Sequence, residues 1–227
     1  MVLSQILIIY AFAERNGPYI TNLLFLLKNI KEKHSLIIVC NGKTDVLKNI
    51  DSPNITILYR NNIGGDFAAY GYGLKHALSK NIEYTHFIFL NDTCIGPCLP
   101  NWANSDEWPS YFIQLLSDKI KLVGPTKNYA VSKHIQSYAM ATDKIGINIL
   151  LKNNIFDPTI NNFTDRWNYI VTHEIGSSKA IISEGYDVES FYQLYEGHGD
   201  PYFTNLILNP VELMFVKNNK PTKLNTI

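Results

Sequence analysis

Residues 60–97 read RNNIGGDFAAYGYGLKHALSKNIEYTHFIFLNDTCIGP, and the choice of fold turns on this stretch. It opens on a turn cluster, Asn61 to Asp66, in which the paired Gly64 and Gly65 allow positive φ and a close backbone approach to a ligand. Phe67, Tyr70, Leu74, Ala77 and Leu78 then recur at threes and fours, which predicts a helix over Phe67–Leu78 with Asp66 at or near its N-cap. Thr85–Leu90 is aromatic and aliphatic but too short for a helix, so it reads as a buried strand that stops at Asn91-Asp92-Thr93. Open α/β sheets bind ligands at the carboxyl ends of their strands, and one helix and one strand bring both polar clusters to that edge. Together these features suit a nucleoside diphosphate with a bound divalent cation.

Upstream, Leu3–Phe12 is a continuous apolar run, hence a central strand. A helix is expected from Pro18 to about Lys33 on the stripe Ile20, Leu23, Leu24, Leu27, Ile30, followed by a strand Ser35–Cys40 that ends at Asn41-Gly42. With a short helix and a strand Ile55–Tyr59 next, the first hundred residues read as a doubly wound half with right-handed βαβ crossovers. The first strand is followed by Ala11, Phe12, Ala13 and Glu14 and not by GxGxxG, which argues against a dinucleotide fold. The absence of a Walker sequence excludes a P-loop ATPase.

Downstream the pattern loosens. Leu99–Pro109 reads as a loop, Ser110–Ser117 as a short helix, and Lys121–Gly124 and His134–Ala139 as strands of a smaller antiparallel group. Helices are expected over Ala141–Leu151 and His173–Glu184, with a strand over Tyr186–Leu194 after Gly185. A helix Tyr202–Leu208 and a strand Leu213–Lys217 close the chain, and nothing marks a linker. One α/β domain is expected over 1–227, with 1–100 as the nucleotide half and 101–227 as the acceptor half.

The composition, 46% hydrophobic and 18% charged over 227 residues, supports one sizeable core. Twenty basic and twenty acidic residues cancel, so no overall field draws the chain to nucleic acid or anionic lipid. Cys40, Cys94 and Cys98 are odd in number and lack a second pair for zinc, which favours reduced thiols in a cytoplasmic protein. Met1–Ala13 lacks a basic leader region, no run is long enough to span a bilayer, and the sequons at Asn54 and Asn162 matter only on secretion.

Six motifs in order carry a resemblance: Asn62-x-Gly64-x-Asp66, Leu90-Asn91-Asp92-Thr93-x-x-Gly96-Pro97, Val123-Gly124-Pro125-Thr126, His134-x-Gln136-Ser137-Tyr138, Glu174-Ile175-Gly176-x-Ser178 and Phe215-Val216-Lys217. The chain resembles the rhamnan-synthesis F-type glycosyltransferases and the related modules of large algal viruses. That likeness implies a GT-A-like, mostly parallel sheet flanked by helices, with a small antiparallel addition. It also implies transfer of a hexose or deoxyhexose from a UDP or dTDP donor to a glycan or glycoprotein hydroxyl. Asn91-Asp92-Thr93 stands where GT-A enzymes carry an Asp-x-Asp metal motif, but it holds one carboxylate.

The expected donor contacts are Ala11, Phe12, Asn41, Asn62, Gly64, Gly65, Asp66, Asn91 and Asp92. Asp92 and His198 are the expected ligands of Mn2+ or Mg2+, with Asp92 otherwise a plain turn residue and His198 a plain loop residue. Glu174, at an expected helix start, is the candidate general base, and Asp66 accepts from sugar hydroxyls; either acid also serves as a helix-terminal charge. His134, Gln136, Ser137 and Tyr138 form a polar strand beside the acceptor or a plain edge strand. A module of the same fold that binds a nucleotide sugar or glycan without turnover is the alternative function.

Overall fold

The computed structural model describes residues 5–80, 82–159, 165–193, 199–203 and 208–218. The chain opens as expected: β1 Ile6–Phe12, α1 Tyr19–Lys28, β2 Ser35–Asn41 and β3 Ile55–Arg60. There follow α2 Gly65–Leu78, β4 His86–Asn91 and a two-residue β5 Cys94–Ile95. All three neighbouring pairs of β3-β2-β1-β4 are parallel, and register aligns Ala11 with Asn91, Phe12 with Cys40 and Asn41 with Arg60. The strands therefore end level, and their terminal polar residues share one edge.

The second half runs α3 Trp108–Ile113, β6 Ile120–Asn128, β7 His134–Ile135, β8 Ala139–Asp143 and α4 Lys144–Lys152. Next come α5 Arg166–Tyr169, a π-helical segment Ile170–Ile175, α6 Gly176–Ser183, β9 Asp187–Tyr192, α7 Pro210–Leu213 and β10 Val216–Lys217. β8 adds antiparallel to β4, β6 joins antiparallel to β8, and β9 and β7 flank β6, completing an eight-stranded sheet. β5 and β10 form a separate antiparallel pair.

The inner strands read as unbroken apolar runs because both faces are covered. Ile8, Tyr10, Ile38, Ile88 and Leu90 pack with Leu23, Leu26, Trp108, Phe112 and Phe215 on one side. Leu7, Ile9, Val39, Phe87 and Phe89 pack with Phe67, Tyr70, Leu74, Leu150 and Ile181 on the other. α2 lies close enough that a Cβ on Gly71 would sit 2.1 Å from the Phe156 carbonyl oxygen.

Several expected boundaries are corrected. α1 stops at Lys28, with Asn29 as its C-cap, because His34 and Asn54 take the following backbone groups into a turn. No helix separates β2 from β3. α2 starts at Gly65, capped by Gly64 in the left-handed region (φ 73), so Asp66 is a first-turn residue and not the N-cap. α3 begins two residues earlier than expected and ends at Ile113. β6 runs through Pro125 to Asn128, as a strand does where the missing N–H is not needed by the ladder. Ala139–Asp143 is strand, and the expected Ala141–Leu151 helix begins only at Lys144, because Asp143 accepts from the Ile145 and Gly146 amides. Glu174 lies inside the π-helical segment, not at a helix start. His134–Ala139 is strand only at its two ends. Pro201–Phe203 is a 3-10 turn, and the rest of the expected Tyr202–Leu208 helix lies largely outside the described residues.

Candidate active site

Above the carboxyl ends of β1, β2 and β4 lies a cleft of about 820 Å³. Ala11, Phe12, Asn41, Asn62, Gly65, Asp66, Asn91, Asp92, His134, Gln136, Ser137, Tyr138 and Glu174 all line it. Gly64 does not, and His198 lies outside the described residues. Phe12 and Ala11 belong mainly to the core beneath the floor, at 0% and 3% exposure. Asn41 is tied down by Arg60, whose Nη1 donates to its Oδ1 at 2.9 Å. A smaller pocket of about 320 Å³ beside Leu78 and Ile147 is mostly apolar and holds none of these residues.

Asp92 follows β4 directly and is 3% exposed. Its Oδ2 accepts from Arg15 Nη1 and from the Ala13 amide, each at 2.7 Å, and its Oδ1 accepts from Arg15 Nη2 at 2.6 Å. Two forked N–H donors and an amide are what an ionised carboxylate accepts. Burial raises the Asp92 pKa from its ordinary value against the pull of Arg15 and Ala13. Burial is the largest influence on Arg15 and works against its charge, but the bond to Asp92, the Asp92 charge and Tyr19 together outweigh it and its pKa is raised. The loop is fixed from below by the buried Asn22 of α1, which donates to the Asp92 carbonyl at 2.7 Å and pairs with Asn218 beside β10.

Asp66 faces the same cleft from the first turn of α2. Asn91 Nδ2 donates to its Oδ2 at 2.9 Å, and the Tyr169 hydroxyl donates to its Oδ1 at 2.7 Å while accepting from the Phe67 amide at 3.0 Å. Burial, then the Asp66 charge, pushes the Tyr169 pKa up, so the phenol stays protonated. Glu174 sits opposite, where its Oε2 accepts from the Ser137 amide at 2.8 Å and hydroxyl at 2.6 Å, with His134 Nε2 3.9 Å from Oε1. His134 Nδ1 donates to the Ser132 carbonyl at 2.7 Å. The far wall is a polar chain: Gln136 donates to Asp200 at 3.0 Å, the Tyr138 and Tyr202 hydroxyls meet at 3.1 Å, and Lys217 Nζ lies over both rings.

Sequence reasoning gave no role to Arg15, Tyr169, Asp200, Tyr202, Arg166 or the 57% exposed Trp167, all of which line the cleft. Lys217 was quoted in a motif without a role. Position after β1 was a usable signal for Arg15; Tyr169 and Trp167 had none, since the segment that presents them approaches the cleft only in the folded chain. Cys94 and Cys98 are buried free thiols whose pKa values are raised by burial, Cys98 to about 11, which fits structural cysteines.

Solved structures that share this architecture include two glycosyltransferases. A mannosyltransferase from Pyrobaculum calidifontis, in complex with GDP-Man and Mn2+, aligns with a TM-score of 0.52 at 13% identity over 82% of this chain; the chain spans 54% of it, about half its length. A glycosyltransferase involved in glycosylation of the major capsid of PBCV-1 aligns with a TM-score of 0.53 at 11% identity, over 96% of this chain and 94% of that one. The fold is thus GT-A-like. A search of curated proteins finds no match. The model of rhamnan synthesis protein F matches residues 36–220, from β2 past β10, so the chain belongs to the rhamnan synthesis protein F family.

Proposed function

We propose that this protein is a glycosyltransferase that moves a hexose or deoxyhexose from a nucleoside diphosphate donor to a glycan or glycoprotein hydroxyl. Family and fold both support glycosyltransferase activity. The observation that carries the reading is the convergence of Asp66, Asp92 and Glu174 with the glycine turn on one cleft at the strand ends. UDP and dTDP sugars are the donors the resemblance favours; GDP-Man, held by the Pyrobaculum enzyme, belongs in the same panel.

In this reading the diphosphate lies by the Asn62–Gly65 turn, where the N-terminus of the 14-residue α2 and the cleft cations Arg15 and Lys217 meet its charge. Asp66, fixed by Asn91 and Tyr169, accepts from sugar hydroxyls. Glu174, oriented by Ser137, takes the acceptor proton as the acceptor oxygen bonds to C1. The C1–O bond to phosphate breaks, and its electron pair leaves with the nucleoside diphosphate. Mn2+ or Mg2+, when bound, would supply further positive charge to that leaving group. As folded, Asp92 is poorly suited as its ligand, because Arg15 and Ala13 occupy three of its four lone pairs and Arg15 sets a fixed positive charge beside the fourth. Among the described residues no three or more His, Cys, Asp and Glu side chains form a metal group.

Nucleoside diphosphate release from UDP-glucose, dTDP-rhamnose and GDP-mannose tests the reading. Release from at least one donor is expected, with Glu174→Gln lowering kcat by about 100-fold or more at a little-changed donor KM. Tight donor binding with no release, alone or with glycan acceptors, would instead identify the non-catalytic module.

A further inference from the structure

Asp92 stands directly after β4 at the floor of the cleft, and the chain pairs it with a cation of its own, Arg15. An arginine carries five N–H groups. Arg15 Nη1 uses both of its own, on Asp92 Oδ2 at 2.7 Å and the Ala13 carbonyl at 2.8 Å, and Nη2 uses one, on Asp92 Oδ1 at 2.6 Å. One Nη2 hydrogen and the Nε hydrogen remain outside this clamp, and the Tyr19 hydroxyl is a further hydrogen-bond partner of the guanidinium. The guanidinium is also stacked on Tyr19, 3.5 Å from the ring centroid, so it is held from two directions while its side chain stays 40% exposed at the cleft. The clamp leaves Asp92 one lone pair, on Oδ1, and a divalent cation taking it would sit beside the Arg15 charge. The other acid at this edge, Asp66, accepts from Tyr169 on one oxygen and Asn91 on the other.

We propose that Arg15 is the resident cation of this site: held by Asp92 and Tyr19, it binds the diphosphate of the donor directly, and Asp92 is its positioning residue. This rests on the nucleotide-sugar reading above. An arginine is suited to the task, because its planar fork matches phosphate oxygens and its charge does not depend on pH in the working range. A fixed cation also provides this neutralisation whether or not a metal accompanies the donor.

Calorimetric titration of the full chain with UDP, dTDP and GDP and with their nucleosides, in EDTA and again in Mn2+, tests this. At least one diphosphate is expected to bind in EDTA within about threefold of its affinity in Mn2+. Arg15→Ala should weaken that diphosphate about tenfold or more while the matching nucleoside changes less than about twofold. Because Arg15→Ala strands a buried carboxylate, Arg15→Ala/Asp92→Asn serves as the second variant and should show the same loss. Asp92→Asn alone should reduce the diphosphate-to-nucleoside preference, a ratio that a merely structural residue would not move. Binding that requires Mn2+ and survives Arg15→Ala overturns this proposal alone. No diphosphate binding under either condition overturns the nucleotide-sugar reading as well.

Discussion

The Tyr169 hydroxyl links two sides of the cleft. It comes from α5, yet it donates to Asp66 and accepts from the Phe67 amide at the start of α2, 102 residues away in sequence for the latter bond. It thereby fixes the Asp66 carboxylate and satisfies an amide that no helical carbonyl can reach. Tyr169→Phe keeps the ring and removes the hydroxyl with its contacts to Asp66, the Phe67 amide and the Gly64 carbonyl. The expected result is a loss of roughly 1–2 kcal/mol in stability together with about tenfold in donor kcat/KM, measured by urea denaturation and by diphosphate release. An unchanged kcat/KM would mean that Asp66 needs no such support. Asp66, Asp92 and Glu174 were legible in the sequence because each sits beside a turn, a strand end or a motif. For Arg15 position after β1 was the one signal, because Ala13-Glu14-Arg15-Asn16-Gly17 otherwise reads as a solvated turn and its carboxylate partner lies 77 residues further on.

Asp143 does two jobs at the junction of β8 and α4. Its Oδ1 accepts from the amides of Ile145 and Gly146, capping α4, while its Oδ2 accepts from Lys121 Nζ at 2.6 Å. Lys121 belongs to β6 and is only 4% exposed as a side chain, so the pair joins strand, strand and helix in the antiparallel half. Asp143→Ala removes a cap, about 1 kcal/mol, and leaves a buried ammonium unpaired, roughly 3–5 kcal/mol. Asp143→Asn should recover the cap alone, and urea midpoints of the two variants separate the contributions. The same junction explains why the two halves of the chain were unequally readable. Buried parallel strands announce themselves as apolar runs such as Ile6–Phe12 and His86–Leu90. Ala141-Thr142-Asp143 runs without a break into α4, so the expected helix takes in the last three residues of the strand. The π-helical segment carrying Glu174 breaks the 3.6-residue period that pattern reading relies on.

Across the whole molecule, formal charge is balanced at neutral pH, with 20 basic and 20 acidic residues, so acid sensitivity falls first to the histidines. Burial is the leading cause of the lowered pKa values of His34, His86 and His173. His34 shows the geometry plainly. Its Nδ1 accepts from the Lys31 amide at 3.2 Å and its Nε2 donates to the Asp106 carbonyl at 2.8 Å, a pattern only the neutral ring satisfies. With the folded pKa depressed, the unfolded chain binds the proton first. Stability is therefore full above about pH 6.5, the unfolded value, and falls as pH drops from there towards the folded pKa. Each such histidine contributes a slope of at most roughly 1.4 kcal/mol per pH unit in that window. The raised pKa of Asp92 has the opposite sign, favouring the folded state as pH falls, and it acts from a carboxylate reference well below the histidine value. Urea midpoints should accordingly decline between pH 7.5 and pH 5.5 for the wild type. His34→Gln, which cannot take up the proton, should show a shallower decline even if its midpoint at pH 7.5 is lower. An identical slope in the two proteins would move the acid sensitivity to His86, where β4 meets β8, and His173, where the π-helical segment meets Phe67.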